Sequence, residues 1–427
     1  MIRWIGLWVV LGCQQKASES TEASPTDTAV VQFTGDPQRL AVVETSSGKV
    51  LITNGNDGQI EGEICLSELH PDPCAGGNGL ENPCLMFGME VQPDGHALLT
   101  YTLREPGTPL APGAISMVNP GHPPQALWNI TEIAIPTDLQ TQEGFDCAAD
   151  PATPACHLYG PHNSWMMEDG LLLVADTSNS RILWVQPPAW GTKAQVVAML
   201  STSHPQWESE RYPNQVQFLP IDGVPHILIT FKGHLRPGAE VIDEGPIVLW
   251  DVSDRNAPER IWRFPEMGGL AAVHQAWVAD TPDGPVMLYA HSRGAETPDD
   301  PDRYGSIGFA RFLGRNPPEY LADGILPGTG LGFTREVEWD GEGSRLLVVD
   351  SGCENAQDEC GRIGEVLAID WPTLTASGKS GAFTLDHEEQ AFVSLEAQEG
   401  LVEQALRFPF DVDVLADDQL SNLDHCE

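Results

Sequence analysis

Apolar residues in this chain fall in short β-branched runs between turn-forming pairs, and the unit recurs. It reads Leu40-Ala-Val-Val-Glu-Thr-Ser-Ser-Gly-Lys-Val-Leu-Ile-Thr near the start, then Met89-Glu-Val-Gln-Pro-Asp-Gly-His-Ala-Leu-Leu-Thr-Tyr. The Asp-Gly turn returns in Glu168-Asp-Gly-Leu-Leu-Leu-Val-Ala-Asp, Ile221-Asp-Gly-Val-Pro-His-Ile-Leu-Ile-Thr, Pro282-Asp-Gly-Pro-Val-Met-Leu-Tyr-Ala and Trp339-Asp-Gly-Glu-Gly-Ser-Arg-Leu-Leu-Val-Val. An Asp-Gly pair supplies the positive φ angles of a tight hairpin turn, and the run after it suits a buried strand. Gly48, Gly95, Gly170, Gly223, Gly284 and Gly341 recur at roughly 45 to 75 residues, the period of a blade with variable loops.

The repeat predicts an all-β chain forming a single six-bladed β-propeller, with five or seven blades as alternatives. One such ring accommodates all of 30–427, because each blade buries its faces only against its neighbours. Val30-Val-Gln-Phe and Phe408-Pro-Phe-Asp-Val-Asp-Val-Leu lie at opposite ends, so strands from both can complete one blade and hide the free edges. Leu395 to Leu406 carries helix formers at helical spacing and predicts one short helix.

Charge narrows the partners. The 427 residues hold 62 acidic against 22 basic side chains, a formal charge of -40, which repels nucleic acid and anionic lipid surfaces. No nucleic-acid partner is expected, and a monomer is. Lysine is confined to Lys16, Lys49, Lys193, Lys232 and Lys379.

The N-terminus reads as an address. Arg3 precedes an apolar stretch from Trp4 to Leu11, too short to span a bilayer. Val10-Leu11-Gly12-Cys13 resembles a bacterial lipobox, which implies cleavage of a signal peptide over 1–12 and acylation of Cys13. Residues 13–29 are polar and predict a disordered tether ahead of the propeller domain at 30–427. Gln14 after the cysteine, by the same resemblance, directs the protein to the outer membrane of the cell envelope, with the lipid anchor as its membrane contact.

Nine cysteines less Cys13 leave eight, an even number suited to an oxidising compartment. Cys74 with Cys84, Cys147 with Cys156, and Cys353 with Cys360 each bracket a short loop. Cys65 and Cys426 remain and can staple the last residues to the first blade, though eight cysteines permit many other connectivities. No Cys-x-x-Cys spacing of a zinc site occurs among them.

The stretch Trp165-Met-Met-Glu-Asp-Gly-Leu-Leu-Leu-Val-Ala-Asp-Thr-Ser-Asn-Ser-Arg-Ile-Leu-Trp resembles the signature of NHL-type propellers. Preceded by His162-Asn163, it is also similar to arylsulfotransferase-like propellers, in which a histidine opens the inner strand. The match covers roughly thirty residues and supports the fold more than any activity.

Propeller geometry says which residues can meet. The inner strand of each blade runs along the central channel, so its opening residue sits at one mouth beside the end of the next strand. The predicted openers are Met86, His162, Asn214, His274 and Arg335; the strand-end partners are Tyr101, Asp176, Lys232, His291 with Arg293, and Asp350. Such a ring can bind a small anion, or use His162 and His274 catalytically beside a carboxylate such as Asp176. The plainer alternative is that Asp176 caps the Asn-Ser-Arg turn, Arg181 and Arg293 bridge blades, and the histidines bond to backbone. Asp299-Asp300-Pro301-Asp302 offers oxygen ligands for Ca²⁺ or is simply a solvated loop tip; no other cofactor is expected.

Two functions therefore stand at this stage. One is a lipid-anchored binding or scaffold propeller holding a ligand or envelope protein. The other is an arylsulfotransferase-like or hydrolytic enzyme with a His/Arg site.

Overall fold

The computed structural model describes residues 39–54, 59–70, 84–103, 112–139, 156–202, 210–232, 244–292, 305–325, 333–340, 345–351, 364–370, 392–393 and 409–415, apart from a few short gaps within them, together with Cys74 and Leu423. The lipobox, the tether, Val30-Val-Gln-Phe, the helix expected at 395–406, Gly341, Arg293, the acidic run at 299–302, and Cys13, Cys147, Cys353, Cys360 and Cys426 lie outside the described residues.

The chain is all-β in a β-propeller arrangement. Five four-stranded sheets have the blade form. Their leading strands are Cys84–Val91, Pro213–Ile221, Val273–Thr281, Thr334–Asp340 and Pro409–Leu415. A five-stranded sheet led by Asn163–Met166 stands among them; it differs by the strand Glu132–Ala134, which joins Lys193–Ser201 in parallel. The leading strands pack in sequence against one another, and the last packs against Cys84–Val91.

Apolar residues make this arrangement hold. Leu172–Asp176 and Ile247–Trp250 are buried on both faces, as strands between neighbouring blades must be. Between blades the side chains form separate clusters, such as Leu173, Trp184, Ile227 and Phe231. Each such side chain removed from water contributes roughly 1.5–3 kcal/mol.

The two ends of the described chain share one sheet. Pro409–Leu415 pairs antiparallel with Arg39–Glu44, which then pairs with Lys49–Asn54. Leu423 continues the closure by packing on Gly62, where an added Cβ would sit 2.6 Å from the Leu423 Cβ.

The turns partly depart from expectation. Among the described turns, both central residues have positive φ at Asp222 (52°) and Gly223 (76°), where type I′ geometry matches the twist of the strands. At Gly95 and Gly170 only the glycine is left-handed, and its N–H closes onto Gln92 or Met167 three residues back, at 2.9 Å in each case. That is a type I turn ending in a glycine bulge. Disulfide Cys74–Cys84 is present as expected, while Cys65 and Cys156 are disulfide-bonded to partners outside the described residues.

Candidate functional site

The leading strands skip register near their starts. Pairing jumps from Met86–Tyr101 to Gly88–Thr100, from Pro213–Phe231 to Gln215–Thr230, from Val273–His291 to Gln275–Ala290, and from Thr334–Asp350 to Glu336–Val349. The skipped residues are Phe87, Asn214, His274 and Arg335. A bulge re-aims its side chain, here toward counterparts on the neighbouring leading strands. His162 occupies the corresponding place before Asn163–Met166, its N–H donating to Ala175 O at 3.3 Å. The expected opener Met86 is instead fully buried in the first core cluster, because the bulge shifts the inward position by one residue to Phe87.

These side chains form one hydrogen-bonded row. His162 Nδ1–H donates to Asn214 Oδ1, and Asn214 Nδ2 donates to His274 O at 2.7 Å, which fixes the amide's orientation. His274 Nδ1–H donates to Arg335 O at 3.0 Å, and its Nε2 accepts from Arg335 Nη1 at 3.1 Å. Arg335 Nε donates to Ser351 Oγ at 2.9 Å. Rings complete the floor: Phe87 stacks on His162 at 4.7 Å, and the two imidazoles lie 6.3 Å apart at 23°. The Arg335 guanidinium sits 4.1 Å over Phe333.

Both imidazoles are neutral at ordinary pH. Burial and then the positive charges of Lys232 and Arg335 hold His162 down to about 3, against the opposing bond to Asn214. Burial, Arg335 and Lys232 push His274 well below its usual value. Burial lowers Arg335 to about 9 while Asp350 opposes it, so the guanidinium stays charged. The tautomers follow: each histidine carries its proton on Nδ1 and its lone pair on Nε2.

The structure places the other expected residues elsewhere. Asp176 is fully buried but does not join the histidines; it accepts from Arg181 Nε at 2.7 Å, Asn179 Nδ2 at 2.9 Å and Tyr159 N at 2.6 Å. Arg181 works within its own blade, donating also to His157 O. His291 is buried with its ring 5.1 Å from Tyr289. Tyr101 bonds Ser116 at 2.7 Å and contacts His70. Asp350 accepts from Phe333 N at 2.7 Å, one shell behind Arg335.

Farther along the channel is a feature the cassette pattern did not single out. A cavity of about 340 Å³ is lined by five carboxyls, Glu90, Glu336, Glu338, Asp411 and Asp413, with Trp165, Trp277 and Trp339. Several of these acids also latch the ring, because each accepts from a backbone N–H of the next leading strand. Asp411 takes Met89 N at 2.8 Å, Asp413 takes Val91 N at 2.7 Å, Glu90 takes Met166 N at 2.9 Å and Glu336 takes Val412 N at 2.7 Å. Asn163, Gln215 and Gln217 do the same for Val216, Ala276 and Val278. Burial pushes Glu90 up to about 7. Burial, with the charge of Asp411 adding to it, raises Glu336 and Asp413 well above the carboxylate range. The sequence signal was the alternation Glu336-Val-Glu-Trp and Asp411-Val-Asp-Val, acids at every second position of an apolar strand.

No protein-family model matches the chain, and no curated protein matches it in sequence. Solved structures resemble it weakly. A putative 6-phosphogluconolactonase from Bacteroides fragilis is 11% identical at TM-score 0.47, covering 90% of this chain and 99% of that one. A dihydro-heme d1 dehydrogenase is 12% identical at TM-score 0.39, over 82% of this chain and 75% of that one. A PQQ-bound aldose sugar dehydrogenase from Streptomyces coelicolor is 17% identical at TM-score 0.31, over 52% and 64%. These likenesses carry no argument about activity, and the fold rests on the strand pairing above.

Proposed function

We propose that this chain is a lipid-anchored propeller of the bacterial cell envelope that holds a small anionic ligand at the histidine mouth of its channel. The five-stranded sheet counts as a blade in this reading, giving a ring of six. What carries it is the row His162–Asn214–His274–Arg335, in which Arg335 and Lys232 both act on the two imidazoles. That is a locally positive, largely buried cluster in a chain of formal charge -40. Charge-assisted bonds in such a setting are roughly twice as strong as neutral ones.

A second function, transfer of a sulfuryl group, is favoured by one observation. Because His162 Nδ1–H donates to Asn214 Oδ1, the neutral ring carries its lone pair on Nε2, the state a nucleophile needs. Nε2 would attack the sulfur of an aryl sulfate, and the phenolate would leave with the S–O electron pair. An acceptor phenol would then take the sulfuryl group from the imidazole and lose its proton to water.

The test is 4-nitrophenyl sulfate, followed by calorimetry and by release of nitrophenolate with phenol present. Binding without turnover, weakened in Arg335→Gln, is the expected result. Turnover abolished in a folded His162→Ala protein would make the chain a transferase; neither binding nor turnover would overturn both functions. The anchor is tested separately: Cys13→Ala should release the protein from membrane fractions, and a variant that stays in the pellet refutes it.

A further inference from the structure

The cavity beyond the mouth has a divided wall. At the level of Glu90 the lining residues, taken in ring order, are Glu90, Trp165, Gln217, Trp277, Glu338 and Asp413. Glu338, Asp413 and Glu90 are consecutive, and Trp165 and Trp277 stand across from them. One tier nearer the mouth the acidic side continues through Glu336 and Asp411, while the opposite side carries the amides of Asn163, Gln215 and Gln275. The two tryptophan rings approach to 5.5 Å at 50°, forming a wedge that faces the acids.

We propose that this cavity is a second binding site, for a small organic ammonium ion bearing a hydroxyl, an amino alcohol, held between the carboxylates and the tryptophan faces. Among the described residues no lysine, arginine or histidine lines it. A cationic guest brings positive charge to this acidic wall, and indole is the strongest side-chain partner for a cation over an aromatic face. Among the described residues no cluster of three or more His, Cys, Asp or Glu side chains has the geometry to hold a metal ion, which favours a molecular cation over a bare one. The hydroxyl has its own partner. Gln215 is 3% exposed, its Oε1 accepts from Ala276 N, and its Nε2 finds no acceptor among the described residues. It lies in the same tier as Asn163, which lines the cavity and, with its Oδ1 accepting from Val216 N, offers Nδ2–H to the ligand's oxygen. A volume of about 340 Å³ is at the small end of ligand pockets.

The probe is choline, titrated calorimetrically into the full chain at pH 8, with glucose as the comparison. Choline should bind saturably and quench tryptophan fluorescence, and glucose should not bind. Glu338→Gln and Trp165→Leu should each weaken choline by about tenfold. Lowering the pH to 5 should weaken it further, because Glu90, raised by burial to about 7, takes up a proton, and Glu336, Asp411 and Asp413, which also face the guest, are shifted in the same direction by burial. Should either variant fail to fold, wild type remains decisive: choline must raise its unfolding midpoint and glucose must leave it unchanged. Glucose binding in place of choline would make the site a saccharide site and overturn the proposal. So would silence from both probes, or choline binding that neither folded variant weakens.

Discussion

Glu90 makes the stability of this protein fall as the pH rises. Its carboxyl is buried between the leading strands and accepts from Met166 N at 2.9 Å, and burial carries it from 4.5 to about 7. A carboxyl with a raised folded pKa is protonated in the fold across a window where the unfolded chain has already lost the proton. Its contribution is therefore fully present below about pH 4.5 and is lost as the pH climbs through about 7. At about 1.4 kcal/mol per tenfold change in proton affinity, the loss from this residue is roughly 3 kcal/mol. Burial raises Glu336 and Asp413 as well, so they add to the decline in the same direction. Urea unfolding followed by tryptophan fluorescence at pH 5, 6, 7 and 8 measures it. Wild type should weaken steadily, and Glu90→Gln, which keeps an oxygen for Met166 N, should flatten the curve by roughly 2–3 kcal/mol between the extremes. Parallel curves for the two proteins, or stability that rises through this window, would refute the reasoning.

Two other substitutions probe the framework. Asp176→Ala strands Arg181, which has no exposed side-chain surface, and should cost about 3–5 kcal/mol in urea unfolding; a loss under about 1 kcal/mol would show the pair to be solvated. Gly308→Ala places a Cβ 2.1 Å from the Tyr289 ring and should destabilise by roughly 1–3 kcal/mol through overpacking, read as a lowered unfolding midpoint.

The turn glycines were legible because a positive φ is a local demand that a single residue type answers. Gly48, Gly95, Gly170, Gly223 and Gly284 all adopt it. His162, Asn214, His274 and Arg335 were legible as openers for a related reason, since each stands at a fixed offset from its turn. Met86 was misplaced because a bulge adds one residue without any mark in the pattern. Asp176 was misassigned because a buried carboxylate looks the same in sequence whether it faces a histidine or an arginine five residues on. The acid and tryptophan tier was visible as alternation but not as a site. Its members meet across blades, Glu336 with Val412 and Asp411 with Met89, at separations of 76 and 322 residues that no local pattern encodes.

The pairing of Pro409–Leu415 with Arg39–Glu44 sets an order of events during synthesis. The edge partner of the first described strand is the last described one, so the early blades must wait with an open edge until residue 415 has been made. A nascent chain of this design stays closure-incompetent until then. It also means that a stop codon anywhere before 409 leaves Arg39–Glu44 without its edge partner, so truncated products should be sticky and prone to rapid clearance.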